Sequence, residues 1–141
     1  MKLSRRTLFL LFAPLAKFPL RAQDDPEDAE SIKLLTDVAG ALSAGNSLEA
    51  LRSFDKNMKD YGRIEAQLNA LTGQFFITSS IDFLSRDGEV FTVDWFLELR
   101  GKADSGPLIR RRQQVKVRIG RIGNKPKIVS LEPLSLFAPV L

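Results

Sequence analysis

The chain has 141 residues, with 21 Lys and Arg against 17 Asp and Glu and a formal net charge of +4. It contains neither Cys nor His, which excludes disulfides, the common zinc sites and every catalytic pair of a nucleophile with an imidazole. The length and the composition are those of one small globular domain.

The first 22 residues have the pattern of an export signal. They hold five cations and no acid, and a basic stretch from Met1 to Arg6 precedes the apolar run Leu8–Ala16. This run of nine residues would rise only about 14 Å as a helix, against roughly 30 Å of bilayer hydrocarbon. We therefore predict a cleaved signal peptide at residues 1–22, with no permanent membrane span, and a periplasmic or extracellular domain at residues 23–141.

The export route and the charge follow from the same segment. Ser4-Arg5-Arg6-Thr7-Leu8-Phe9-Leu10 resembles a twin-arginine signal, with Leu8 where that motif usually carries Phe, and the general secretory route is the alternative. A helix that stays with the fold is the competing interpretation, and the lack of a polar face disfavours it. Without the segment, 16 cations stand against 17 acids, so no nucleic-acid partner is expected.

Three helices are predicted in the first half of the mature chain. Asp25-Pro26 has the N-cap and first-position pattern of a helix start, and Gly45 is a suitable terminator. Asn46-Ser47-Leu48-Glu49 has the pattern of a capping box and predicts a second helix through Phe54. A third helix is expected from about Asp60, ending before Gly73.

The second half has the two-residue period of β-strands. Asp87-Gly88 is the strongest hairpin signal, Gly123-Asn124 is a second turn, and Pro133 lacks the N–H group that a further ladder would need. One face of this antiparallel sheet is apolar, and the three helices are available to cover it, so the fold class is α+β. The predicted strands are 74–84, 91–100, 108–122 and 127–131.

This order of elements resembles the nuclear transport factor 2-like (SnoaL-like) superfamily. The resemblance implies a cone-shaped fold, in which helices cover a curved four-stranded sheet and leave a pocket between them. Its members include ketosteroid isomerase-like enzymes, dehydratases, cyclases and non-catalytic binding or dimerising modules, and the fold alone does not choose among these. The matching segments are Ser31–Leu35 to Gly45-Asn46, Phe54-Asp55, Asp60-Tyr61, Asp94–Leu97 and Lys127–Ser130.

Candidate binding residues lie in phase with apolar ones. Arg111 and Gln113 continue the series of every second residue formed by Val115, Val117 and Ile119, so a regular strand would place all five on one face. A charge on a core-facing stripe lines a pocket or lies at its mouth. The alternative is a bulge that turns Arg111 outward, or a strand that projects past the sheet.

Asp94 and Trp95 are adjacent and lie on opposite faces of their strand. A carboxyl group buried near aromatic rings could act as a general acid or base. Ketosteroid isomerases combine an Asp base with a Tyr and a protonated Asp, and the acids Asp55, Asp82 and Asp94 cannot be matched to that pattern. Trp95 and Tyr61 are either core residues or part of a ligand pocket.

Three functions therefore stay open. The first is a non-catalytic module that binds a small apolar or anionic ligand, or dimerises through the sheet, where Thr78, Thr92 and Phe96 lie on the second face. The second is an acid–base isomerase, dehydratase or hydrolase with a pocket carboxylate, and a pure scaffold with a filled cavity is a third. The apolar tail from Leu134 to Leu141 is expected to pack against the fold or a partner. No catalytic residue, metal site or cofactor is predicted, and the predicted ligand-binding residues are Tyr61, Asp94, Trp95, Arg111 and Gln113.

Overall fold

The computed structural model describes residues 26–103, 106 and 108–140. The chain divides into two compact units, Met1–Ile32 and Lys33–Leu141. Of the first unit only the beginning of the first helix is described, and the predicted signal peptide and the predicted N-cap at Asp25 lie outside the described residues. The second unit contains all the other elements.

The first two helices have the predicted starts and one different end. Helix α1 spans Pro26–Ser43, and Gly45 follows with a φ of 73°, the left-handed conformation that glycine adopts without strain. Helix α2 spans Ser47–Leu51, and the Asn46 side chain accepts a hydrogen bond from the Glu49 backbone N–H, as an N-cap does. The Glu49 carboxylate binds Arg52 at 3.0 Å, so the Asn46 half of the predicted capping box is the half that forms.

The second helix does not continue through Phe54, as the sequence predicted. Phe54 instead forms a parallel β-bridge with Ile128 of the last strand. The Ile128 backbone N–H donates to Ser53 O at 2.8 Å, and its carbonyl accepts from Asp55 N at 2.9 Å. These hydrogen bonds replace those that a longer helix would have made.

Helix α3 spans Tyr61–Gln74, with Asp60 at the N-cap position. Its apolar residues Ile64, Leu68 and Leu71 recur at helical spacing and are buried. The prediction that Gly73 lies beyond the end is wrong, since Gly73 belongs to the last turn. Phe75 then takes an extended conformation, so the helix runs directly into the first strand without a glycine terminator.

Four antiparallel strands form one sheet in the order β1-β2-β3-β4. Strand β2 pairs with β1 and β3, and β4 pairs with β3. The two predicted turns are confirmed, with Gly88 and Gly123 at positive φ. Shifts of register occur between Phe83 and Ser85 and between Arg118 and Ile119. The strands are β1 (Phe75–Asp87), β2 (Val90–Gly101), β3 (Leu108–Ile122) and β4 (Lys125–Glu132).

The curved sheet has one covered face, which we call the core face, and an opposite outer face. Every second residue of β2 is buried on the core face, and these side chains join one hydrophobic cluster with residues of the three helices. A short 3-10 helix at Leu134–Phe137, which we call the C-terminal turn, adds buried residues to the same cluster. The fold is therefore α+β, with helices before a four-stranded antiparallel sheet, as the sequence predicted. The buried residues of β2 are Phe91, Val93, Trp95, Leu97 and Leu99.

Candidate functional site

The register of β2 and β3 brings three predicted site residues to the core face. Gln113 is paired with Trp95, and Arg111 is paired with Leu97. The register does not shift anywhere along the β2–β3 pairing, so the alternation continues from the buried Val115 to Arg111. Arg111 and Gln113 are both partly exposed, which places them where the buried part of the core face ends.

Trp95 is fully buried, and both its polar and its apolar parts have partners. The indole Nε1–H donates to Ser79 Oγ on the neighbouring strand at 2.9 Å. The rings of Trp95 and Phe137 pack edge to face, with a centroid distance of 5.4 Å and an interplanar angle of 89°. This T-shaped arrangement is one of the two that aromatic pairs favour.

Arg111 is a partly buried cation whose described partner is a neutral oxygen. Its Nη1 donates to the Leu136 carbonyl at 2.9 Å. Burial lowers the pKa of the Arg111 guanidinium, because a charge removed from water is less favourable than a neutral group. Among the ion pairs of the described residues, none joins an acidic side chain to Arg111.

The C-terminal turn also meets the third residue of this group. Ser135 Oγ donates to Gln113 Oε1 at 3.3 Å. Three consecutive residues of the turn, Ser135, Leu136 and Phe137, therefore contact Gln113, Arg111 and Trp95 in that order. The apolar tail was predicted from the sequence to pack against the fold or a partner. No sequence pattern indicated these particular contacts.

Asp94 lies on the outer face, across the sheet from the three residues just described. Its carboxylate binds Arg112 Nη2 at 2.6 Å, with 19% of the Asp94 side chain and 72% of the Arg112 side chain exposed. The hydrogen bond to Asp94 and its charge raise the pKa of Arg112. Asp82 is paired with Asp94 across β1 and β2 and shares the outer face, so the structure does not bring these two acids to Arg111.

Tyr61, the fifth predicted residue, is the first residue of α3. Its side chain is half-buried and packs against the hydrophobic cluster. Tyr61 thus belongs to the helical side of the sheet, together with Trp95, Arg111 and Gln113. Asp94 alone among the five lies on the opposite side.

The outer face carries ladders of ion pairs and a few exposed apolar side chains. Arg110 binds Glu98 at 3.1 Å, and Arg118 binds Glu89 at 3.5 Å. The cations of β3 are therefore balanced in part by acidic residues of β2 and of the turn that precedes it. At one end of this face, Phe76 is 62% exposed and Leu108 is 44% exposed.

Two further observations concern the described part of the chain. No described helix is both long enough and apolar enough to cross a membrane. Within residues 26–103, 106 and 108–140, no three acidic side chains come together as a set of metal ligands.

The fold is that of the nuclear transport factor 2-like proteins. A protein from Xanthomonas campestris, provisionally assigned as a calcium/calmodulin-dependent protein kinase II association domain, aligns with a TM-score of 0.55 over 77% of this chain and 86% of its own. Aln2 from a Streptomyces species has a TM-score of 0.55 over 76% of this chain and 89% of its own. A variant of Rv3472, a protein of unknown function from Mycobacterium tuberculosis, has a TM-score of 0.58 over 82% and 75%.

Each of the three is 12% identical to this chain. The likeness therefore defines the fold and leaves the activity open. No family model matches the sequence, and no curated protein matches it.

Proposed function

We propose that this chain is a non-catalytic binding module that takes a small apolar or anionic ligand on the core face of its sheet, beside Arg111. The observation that carries the proposal is the partly buried Arg111 guanidinium, whose described hydrogen-bond partner is a neutral carbonyl. Trp95 and Gln113 lie in the adjacent row of the same face. Tyr61 packs on the same side of the sheet.

The electrostatics of Arg111 favour an anion. Removing a guanidinium from water is unfavourable unless the charge is paired. A carboxylate can offset this cost with charge-assisted hydrogen bonds, which are shorter and stronger than a bond to a neutral carbonyl. The apolar part of such a ligand would have Ile109 and Ile81 nearby, since both are only partly buried and pack against the hydrophobic cluster.

The neighbouring arginine on the other face provides a matched control. Arg111→Met keeps an unbranched side chain and removes the charge, and Arg112→Met does the same on the outer face. Titration calorimetry with 3-phenylpropionate should show binding weakened about tenfold or more by Arg111→Met, the loss expected for a hydrogen bond to a charged group. Arg112→Met should bind as the unmodified chain does. Equal effects of the two substitutions would contradict the proposal.

The acid–base alternative requires two ionisable side chains that converge in one cavity. Asp82 and Asp94 lie on the outer face, whereas Tyr61 and Arg111 lie on the helical side of the sheet. Asp82 and Asp94 thus do not converge with Tyr61 and Arg111, which favours the binding module over an enzyme that uses either acid. Turnover of a ketone or hydroxy acid substrate that Asp94→Asn abolishes would reverse this preference.

A second candidate function is self-association through the outer face. Phe76 on β1 and Leu108 on β3 are both paired with Arg100, which lies between them on β2, and both apolar side chains are exposed. Exposed apolar side chains that lie side by side on a sheet face can form part of a surface that another chain covers. Light scattering should give a dimer mass for the unmodified chain and a monomer mass for Phe76→Ser, and a monomer in both would exclude this interface.

We also propose that residues 1–22 direct export, which the n-, h- and c-region pattern of the sequence supports. Material secreted by an expressing bacterium should begin near Gln23 in N-terminal sequencing. Substitution of Arg5 and Arg6 by Lys should block export by the twin-arginine route and leave the general secretory route working. A chain found only in the cytoplasm with Met1 intact would exclude export.

A further inference from the structure

The C-terminal turn lies where the proposed ligand would bind. It packs against α3 and β3, and Leu136 and Phe137 are fully buried. Its three consecutive contacts are a hydroxyl on the Gln113 amide, a carbonyl on the Arg111 guanidinium and an aromatic ring on Trp95. Every core-face strand residue assigned to ligand binding is thus already used by the chain itself.

We propose that the C-terminal turn is a displaceable plug, and that the ligand it competes with is an aryl carboxylate. This inference rests on the proposed binding function and adds to it the chemical class of the ligand and the way the site is closed. The phenyl ring of the ligand takes the position of Phe137 on Trp95, and its carboxylate takes the position of the Leu136 carbonyl on Arg111.

The chemistry of the contacts supports an exchange of this kind. The Arg111 contact improves when a neutral carbonyl is replaced by a carboxylate, because the new hydrogen bond joins two opposite charges. The Trp95 contact is preserved, since any phenyl ring can adopt the same T-shaped geometry. The turn follows β4 and Pro133, and the β3–β4 register ends at Glu132, before the turn begins, so its release leaves the sheet ladder intact.

Competition with the plug has a measurable consequence. A ligand that binds only the open form has an apparent dissociation constant raised by the reciprocal of the open fraction. Loosening the turn should therefore tighten ligand binding, whereas loosening an ordinary core element should not. This opposition in sign separates a plug from a permanent part of the core.

Trp95 reports on the plug, because it is the single tryptophan of the chain. In the full chain, Phe137→Ala should increase quenching of its fluorescence by acrylamide and tighten 3-phenylpropionate binding by about tenfold, as expected when an open state that is populated to about one tenth becomes dominant. Phe137→Leu keeps apolar bulk at the same position and should give a smaller change in the same direction. Propionate and 3-phenylpropan-1-ol, which lack the ring or the charge, should bind more weakly in every variant.

The matched control is Phe54→Ala, which truncates another buried phenylalanine outside the C-terminal turn. It should lower stability as Phe137→Ala does, without tightening binding. If both Phe137 variants bind 3-phenylpropionate no more tightly than the unmodified chain, while Arg111→Met still loses binding, the plug is wrong and the binding site stands. If no variant binds any carboxylate, the plug and the proposed function are both wrong.

Discussion

The Trp95 indole and the Ser79 hydroxyl are joined by a hydrogen bond of 2.9 Å across β1 and β2. Ser79 is paired with Leu97, one row from Trp95 on the core face, and this diagonal position lets its oxygen reach the indole N–H. The Ser79 backbone N–H in turn donates to Ser43 Oγ at the end of α1. A polar residue on the apolar face of β1 thus links the central strand to the helical layer.

Ser79→Ala should lower the free energy of unfolding by about 1–3 kcal/mol, because it leaves the N–H of a fully buried indole without a partner. Ser80→Ala, the neighbouring substitution on the exposed outer face, should change it by less than about 0.5 kcal/mol. Urea unfolding followed by circular dichroism measures both without relying on the fluorescence of Trp95. Equal midpoints for the two variants would mean that the hydrogen bond has no net effect.

The hairpin between β1 and β2 depends on the backbone conformation of one glycine. Gly88 has a φ of 62°, and a Cβ built there meets nothing within 4 Å. Gly88→Ala should therefore destabilise the fold by about 1–2 kcal/mol through backbone strain alone. Gly40→Ala is the matched control, since Gly40 is exposed within α1 and has equally open space. It should raise stability by roughly 0.5–1 kcal/mol, and thermal unfolding should give shifts of opposite sign for the two variants.

Much of the fold could be predicted from the sequence because local patterns and tertiary packing agree there. The alternation in β3 predicted its bounds at 108 and 122, and the structure has Leu108–Ile122. The predictions failed where a distant element decided the outcome. Phe54 leaves its helix because Ile128, far along the chain, provides backbone partners, and no local pattern contains that information.

The candidate site was only partly accessible to sequence reasoning for the same reason. Alternation alone placed Arg111 and Gln113 on one face and Asp94 on the other. The contacts of Ser135, Leu136 and Phe137 with that face depend on where the chain returns after β4, which periodicity does not encode. The apolar composition of the tail predicted its burial and left its partners open.

The short helix α2 should depend on its N-cap. The Asn46 side chain accepts the Glu49 backbone N–H at 3.0 Å, and a helix of five residues has few internal hydrogen bonds to compensate for its loss. Asn46→Ala should cost about 0.5–2 kcal/mol, whereas Asn46→Ser should cost little. Asn57→Ala, at an exposed position of the following loop, is the control and should fall within about 0.5 kcal/mol. Equal chemical unfolding midpoints for Asn46→Ala and Asn57→Ala would show that the cap contributes nothing to stability.

The contribution of the core face to stability can be tested by truncating one buried and one exposed leucine of the sheet to alanine. Leu97 is fully buried in the row between Ser79 and Arg111, whereas Leu108 is 44% exposed on the outer face. Leu97→Ala should lower the free energy of unfolding by about 2–5 kcal/mol, because lost transfer energy adds to the cost of a cavity. Leu108→Ala should cost much less, since that side chain is already in contact with water.

A cavity lined by apolar side chains can also bind a small apolar molecule, so benzene should raise the thermal midpoint of Leu97→Ala and leave that of Leu108→Ala unchanged. Collapse of the surrounding side chains into the space would remove the benzene effect and reduce the stability loss toward the lower end of the range.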